Sequence, residues 1–191
     1  TVFSSSLRQM QSPRARVVVL GTGGTIAGTG LGSDERAGYR AAQLSVDDLV
    51  AAIPALQDVP LECEQVAQVD SKDMGHAIWQ RLAERAAFLL RRDEVAGVVV
   101  THGTDTLEET AYFLHRSVDA RTKPLVLTAA MRPATALQAD GPQNLLDAVR
   151  LARHAKACGV LVVMAGAVHG AVDVRKAHTT RIETLAGSSP P

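Results

Sequence analysis

Residues 17–28 read VVVLGTGGTIAG: a continuous apolar, β-branched run leads straight into a glycine-rich turn carrying two threonines, Thr22 and Thr25. An apolar run without alternation marks a strand covered on both faces, as parallel strands are. Residues 98–109, VVVTHGTDTLEE, repeat the arrangement of buried strand, polar turn with glycine, and helix start. Two such turns side by side would gather hydroxyl groups and bare backbone N–H groups in one place, which is how a site is made.

Outward from these stretches, further strands are expected over residues 63–69, 95–101, 124–129 and 159–164. Ser45 with Asp48 three residues on marks a helix start, and Pro54 its end. Over residues 75–92, Ile78, Leu82, Ala86 and Leu89 recur at helical spacing with Trp79 beside the stripe. Thr106 with Glu109 predicts a capping box for a helix reaching Arg116, and Leu145, Leu146, Val149 and Ala152 mark another helix over residues 141–156. Strands alternating with helices predict an α/β fold: an open, mostly parallel, Rossmann-like sheet flanked by helices, with ligands at the carboxyl ends of the strands. Both threonine-bearing turns fall there. Residues 30–42 mix Gly, Ser, Asp, Glu and Arg around Tyr39 and read as a mobile loop, with a lid as one use.

The chain has 191 residues and is 46% hydrophobic, which suits one good-sized core and a single domain. Lys plus Arg and Asp plus Glu are 20 each, so no net field draws in nucleic acid or an anionic membrane surface. The longest apolar candidate, residues 159–167, has strand length, far short of the roughly 18 residues that span a bilayer. Cys63 and Cys158 have no CxxC spacing and read as small core residues. Residues 1–16 read as a loosely attached tail, which denies Thr1 the rigid base an N-terminal threonine nucleophile needs. Residues 187–191 read as a loop or linker. Because position 1 is Thr and not Met, the want of a visible signal peptide decides nothing, and cytoplasmic and periplasmic or secreted locations both stand open.

The glycine turn invites a nucleotide reading, which its spacing defeats: after Gly21-x-Gly23, Ile26 occupies the place of the third small residue, and no GK[ST] closes a phosphate loop. There is no GxSxG elbow, and the six histidines are scattered without metal-ligand spacing. What remains is a hydroxyl nucleophile, which needs a neighbour such as Lys or Tyr to take its proton. The chain has four lysines: Lys72 after the Asp70–Ser71 turn, Lys176 in DVRKAHTT, and Lys123 and Lys156 at a strand entry and a helix end. Taken singly, Lys176 reads as a solvated loop charge, and Thr25 and Thr104 read as turn-formers.

Taken together, TGGTIAG at 22–28, THGTDTLEETAYFL at 101–114, AMRP at 130–133, ADGPQNL at 139–145 and the DVRKAHTT segment resemble, in order, the bacterial L-asparaginase family, which includes asparaginase-glutaminases. The resemblance runs from residue 17 to about residue 180. It implies a larger N-terminal α/β domain over residues 17–180, a linker starting at 181–191, and a smaller C-terminal α/β domain that lies outside these 191 residues. It also implies a homotetramer built from intimate dimers, a substrate of L-asparagine or L-glutamine, and no cofactor or metal.

By the same resemblance, Thr25 is the nucleophile that attacks the side-chain amide carbon, and Tyr39 helps to activate it. Thr104, Asp105 and Lys176 correspond to the cluster that tunes a threonine hydroxyl or a water for proton transfer. Ammonia leaves, and water hydrolyses the acyl-threonine ester. Backbone N–H groups of Gly24, Gly103 and Ala130 are expected to contact the substrate or its oxyanion, Asp105 to hold the α-ammonium and Ser71 the α-carboxylate. Lys72 stands where the family often carries Gln or Glu near that ammonium, so its cation points away or weakens binding. Residues 165–172 are plainer than the family's usual acidic, Arg-bearing loop, and Leu185 stands where it expects an aromatic. The family's sites are completed by an acidic residue and an Asn from a neighbouring subunit's second domain, so residues 1–191 alone are expected to have little activity. Two other readings are the glutaminase subunit of a tRNA-dependent amidotransferase, against which the short tail before Val17 argues, and a non-catalytic assembly module.

Overall fold

The apolar run that opens the sequence becomes β1 (Arg16–Gly23), whose neighbours on both sides are parallel strands. This is seen in a computed structural model that describes residues 15–30 and 39–188, with the Tyr39 side chain also outside the description. Residues 1–14 of the tail expected over 1–16, most of the 30–42 loop and the last three residues lie outside the described residues, while Arg16 already belongs to β1. After β1 come the two-residue strands β2 (Thr29–Gly30) and β3 (Tyr39–Arg40), paired antiparallel, then α1 (Val46–Ala51), β4 (Leu61–Val69), α2 (His76–Leu90), β5 (Val95–Thr101), α3 (Leu107–Ser117), β6 (Pro124–Thr128), α4 (Gly141–Ala152), β7 (Gly159–Met164), β8 (Ala167–Gly170), β9 (Arg175–Lys176) and β10 (Leu185–Ala186). The main sheet runs β4-β1-β5-β6-β7-β8; its first five strands are parallel and β8 is antiparallel.

The period-two geometry of a strand sorts the apolar run between two cores. Val18 and Leu20 face one core with Val98, Val100, Leu125 and Leu127, covered by Leu82, Ala86 and Leu89 of α2 and Leu107, Ala111 and Leu114 of α3. Val17 and Val19 face the other with Val99 and Val126, covered by Leu49 of α1 and by Leu145, Ala148, Val149 and Ala152 of α4. The expected α/β architecture with helices on both faces is therefore present. From β1 the chain steps outward to β4 and then crosses to β5 on the far side of β1. The carboxyl ends of β1 and β5 thus flank the point where strand order reverses, the usual seat of a ligand in an open α/β sheet.

Local details correct several expectations. The Ser45–Asp48 capping box forms at α1, but Pro54 does not simply end that helix; it opens a separate 3-10 turn at Pro54–Leu56. At α3 no side-chain cap forms: Thr106 has φ −128° and ψ 25°, outside the extended conformation of a usual N-cap, and its hydroxyl is turned to the Ser71 carbonyl; α4 ends at Ala152, short of Lys156. The 165–172 stretch, read as a loop, contains β8: Ala165 and Gly166 both take positive φ (52° and 74°), a two-residue turn whose twist matches a hairpin. Of the two cysteines expected in the core, Cys63 is half-buried and packs against its edge, whereas Cys158 is exposed. Burial, aided by the Asp47 and Glu62 carboxylates, pushes the Cys63 thiol up to about 11. On the outer strand β4, Glu62 lies between Arg16 (3.5 Å) and Arg92 (3.3 Å), Glu64 pairs with Arg85 at 2.7 Å, and the Val66 carbonyl accepts from Arg81. No described helix is long and apolar enough to cross a membrane.

Gly97 of β5 is where α4 closes on the sheet: a Cβ there would lie 2.5 Å from the Ala152 carbonyl oxygen. Gly97→Ala is expected to lower unfolding free energy by about 1–3 kcal/mol through overpacking, read from the midpoint of urea denaturation.

Candidate active site

Two strand ends are tied together before either turn begins. The Thr22 hydroxyl donates to the Thr101 carbonyl at 2.8 Å, joining β1 to β5 at their carboxyl ends. Gly23 and Gly24 then turn the chain with φ of 103° and 79°, conformations that favour glycine. Gly24 N–H donates to the Val69 carbonyl (2.9 Å), and a single 3-10 turn, Thr25–Ala27, follows. Thr25 is buried in this turn.

The second turn abuts the first. A Cβ on Gly24 would lie 2.4 Å from the Gly103 nitrogen, and one on Gly103 would lie 2.4 Å from the Ser71 Oγ. Backbone therefore meets backbone at the crevice. Ser71 begins a 3-10 turn, Ser71–Asp73, and accepts twice from the second turn: its Oγ from Asp105 N–H (3.2 Å) and its carbonyl from the Thr106 hydroxyl (2.7 Å). A serine hydroxyl has one proton to give as well as lone pairs that accept, so Ser71 can donate to an anionic group while its oxygen accepts from Asp105.

Lys176 reaches this cluster from the β9–β10 ribbon. Its Nζ donates to Thr104 Oγ1 at 2.8 Å and to Asp105 Oδ1 at 2.7 Å, and its backbone N–H donates to the Glu108 carboxylate. The lysine side chain is 19% exposed and that of Asp105 53%, so the pair sits at a mouth rather than in the interior. The loop after β6 is held from α4: the Met131 and Arg132 N–H groups donate to Asp140, and Asn144 donates to the Ala129 carbonyl and accepts from Ala165 N–H. Ala130 is buried inside this clasp.

Beneath the second turn runs a buried polar string. The indole N–H of Trp79 can only donate, so Thr110 Oγ1 accepts it (2.8 Å) and turns its own proton to His102 Nε2 (3.0 Å). His102 then carries its proton on Nδ1 and donates to the Gly103 carbonyl at 2.7 Å. Burial drives the His102 pKa down to about 4, against the opposing pull of the Gly103 carbonyl, so the ring is neutral.

Of the residues picked out from sequence, Gly24, Thr25, Ser71, Gly103, Thr104, Asp105 and Lys176 converge on the crevice at the ends of β1 and β5. Lys72 turns outward: its Nζ bonds Asp73 at 2.5 Å and lies 3.7 Å from Asp70, with 62% of the side chain exposed. Tyr39 is placed by its backbone, opposite Gly30 in the β2–β3 ribbon. Sequence reading passed over Glu108, Asp140, Asn144 and the Trp79–Thr110–His102 string, although ADGPQNL had drawn notice as a motif. Among the described residues, no group of three or more His, Cys, Asp or Glu could hold a metal ion.

A family model described as Asparaginase, N-terminal matches residues 16–191. The chain belongs to the asparaginase family. It is 46% identical over 172 residues to a protein of Haemophilus influenzae named "Probable L-asparaginase periplasmic", covering 88% of this chain and 48% of that protein. It is 43% identical over 172 residues to L-asparaginase 2 of Escherichia coli, with 88% and 48% covered. A "Glutaminase-asparaginase" of Pseudomonas fluorescens is 42% identical over 179 residues, with 92% and 49% covered. The crystal structure of a probable cytoplasmic L-asparaginase from Campylobacter jejuni superposes with a TM-score of 0.86 at 42% identity, covering 91% of this chain and 53% of that one. The chain spans about half the length of the curated relatives it matches. Asparaginase relatives thus include both periplasmic and cytoplasmic proteins by name.

The neutral His102 makes stability pH-dependent. Its pKa is 6.5 in an ordinary setting and about 4 here, so between those values the unfolded chain binds the extra proton. The stabilisation is complete above about pH 6.5 and is lost as pH falls toward about 4, by up to roughly 3 kcal/mol. Urea unfolding of the wild type and of His102→Gln across this range is expected to show a shallower pH slope for the variant.

Proposed function

We propose that the whole protein hydrolyses the side-chain amide of L-asparagine to L-aspartate and ammonia through a threonine nucleophile. The observation that carries this reading is the Lys176 ammonium held on Thr104 and Asp105, in a turn that abuts the Gly24–Thr25 turn backbone to backbone. In this reading Thr25 Oγ attacks the amide carbon, and its proton is taken up with help from Tyr39. The C–N bond breaks as the nitrogen gains a proton from the Thr104–Lys176–Asp105 cluster and leaves as ammonia. Water, activated by the same cluster, cleaves the acyl-threonine ester and restores the hydroxyl.

The remaining groups select a free amino acid. Ser71 O–H binds the α-carboxylate and Asp105, half exposed, the α-ammonium. Backbone N–H groups of Gly103 and Ala130 meet the oxyanion, whereas the Gly24 N–H, expected beside them, is taken by the Val69 carbonyl. Lys72, neutralised by Asp73 and Asp70, lets the α-ammonium bind without facing a second cation. L-Glutamine is the second substrate in this reading, in keeping with relatives named glutaminase-asparaginase. Residues 17–180 form the asparaginase N-terminal domain, residues 181–191 begin an interdomain linker, and the protein assembles as a homotetramer of intimate dimers.

The test is ammonia release from L-asparagine by the full-length protein. Thr25→Ala is expected to lower kcat by about 10³-fold or more and Lys176→Met by roughly 10²-fold, as befits loss of a nucleophile and of a proton-transfer group. Turnover by Thr25→Ala at the wild-type rate would overturn the reading.

A further inference from the structure

Lys176 lies on a ribbon of two paired residues on each strand, Leu185 opposite Lys176 and Ala186 opposite Arg175, outside the six-stranded sheet. Flanking contacts hold the ribbon, with Ala177 N–H on the Thr184 carbonyl at 2.7 Å and Leu185 against the core, but none of them takes the Lys176 N–H. A lysine side chain, with its flexible four-carbon stem, does not place an ammonium unless its base is fixed. Besides the ribbon, the base of Lys176 is tied to the main domain by Glu108, which accepts its backbone N–H across 68 residues of chain.

Glu108 stands four residues after Thr104 and three after Asp105, in the first turn of α3. One short segment at that helix start therefore grips the same lysine twice. Thr104 and Asp105 take the ammonium at the head, and Glu108 takes the main chain at the foot. The adjacent acid, Glu109, shares the favourable place at the helix N-terminus yet is exposed to solvent. A merely helix-stabilising role would fall to both acids alike, whereas the grip on Lys176 belongs to Glu108.

We propose that Glu108 is a positioning residue for this site: it anchors the backbone of Lys176 so that the ammonium stays on Thr104 and Asp105. This rests on the reading that Lys176 serves proton transfer in amide hydrolysis. The carboxylate acts through its reach and its acceptor oxygen, not through its charge, and two substitutions separate these properties. Glu108→Gln keeps the reach and an acceptor oxygen but removes the charge; Glu108→Asp keeps the charge but draws the acceptor back by one methylene.

The experiment uses the full-length protein with two readouts: steady-state kinetics on L-asparagine, and competitive acetylation of Lys176 by acetic anhydride followed by peptide mass spectrometry. Glu108→Asp is expected to lower kcat by roughly 10- to 100-fold with KM within about threefold of wild type, since misplacing a reacting group by about an ångström has effects of this size. Its Lys176 should acetylate several-fold faster as the ammonium leaves Thr104 and Asp105. Glu108→Gln should stay within about threefold of wild type in both readouts, and Glu109→Ala should match wild type. Wild-type kcat and labelling in Glu108→Asp would overturn the proposal, as would an equal loss in Glu108→Gln or in Glu109→Ala. If the unaltered protein releases no ammonia from asparagine, the functional reading fails by itself, while the labelling comparison still decides whether Glu108 holds Lys176.

Discussion

The candidate site depends on a contact between two glycines. Gly24 and Gly103 approach so closely that neither could carry a Cβ without striking the opposite backbone or the Ser71 hydroxyl. That closeness is set up one layer below, where β1 and β5 pair in parallel and the Thr22 hydroxyl holds the Thr101 carbonyl. Any side chain at position 24 or 103 would wedge the turns apart and carry the nucleophile candidate Thr25 away from the Thr104–Lys176 cluster. Glycine serves here for proximity, and at Gly24 for its positive φ as well.

The helices do more than cover the sheet, because their first turns hold the loops that form the site. From one layer, α3 offers Glu108 to Lys176, while the string from Trp79 of α2 through Thr110 of α3 fixes His102 beneath the second turn. From the other layer, Asp140 and Asn144 at the start of α4 clasp the loops after β6 and β7. Each face of the sheet thus contributes buried or half-buried polar anchors to the carboxyl edge. Loops that would otherwise be loose are held from below by secondary structure.

The fold was legible because its signal is local. The unbroken run at Val17 to Leu20 announces a strand buried on both faces, and the parity of its residues divides between two cores as pleating requires. Thr25, Thr104, Asp105 and Lys176 were legible as motifs rather than as chemistry, since only their order and neighbours distinguish them from turn-formers and a solvated charge. Glu108 escaped notice because an acid in a first helical turn is ordinary and its partner is 68 residues away. Thr106 misled for the same kind of reason: its hydroxyl is oriented by a partner 35 residues away, the Ser71 carbonyl, and its backbone leaves the extended conformation of a usual N-cap. The β7–β8 hairpin was missed because its turn uses Ala165 at positive φ, where sequence patterns look for Asn or Gly.

The outer strand β4 bears on how the protein behaves in concentrated solution. Its nine residues form a sheet margin long enough to template another strand, the feature through which β proteins join edge to edge. Glu62 and Glu64 stand at alternate positions along it, each engaged by arginine, and the Val66 carbonyl is already taken by Arg81. A foreign strand docking there would lie beside these charges and would compete with Arg81 for the Val66 carbonyl. The ion pairs of β4, mostly half-buried, thus set charge along the one long edge at which a foreign strand would have to pair.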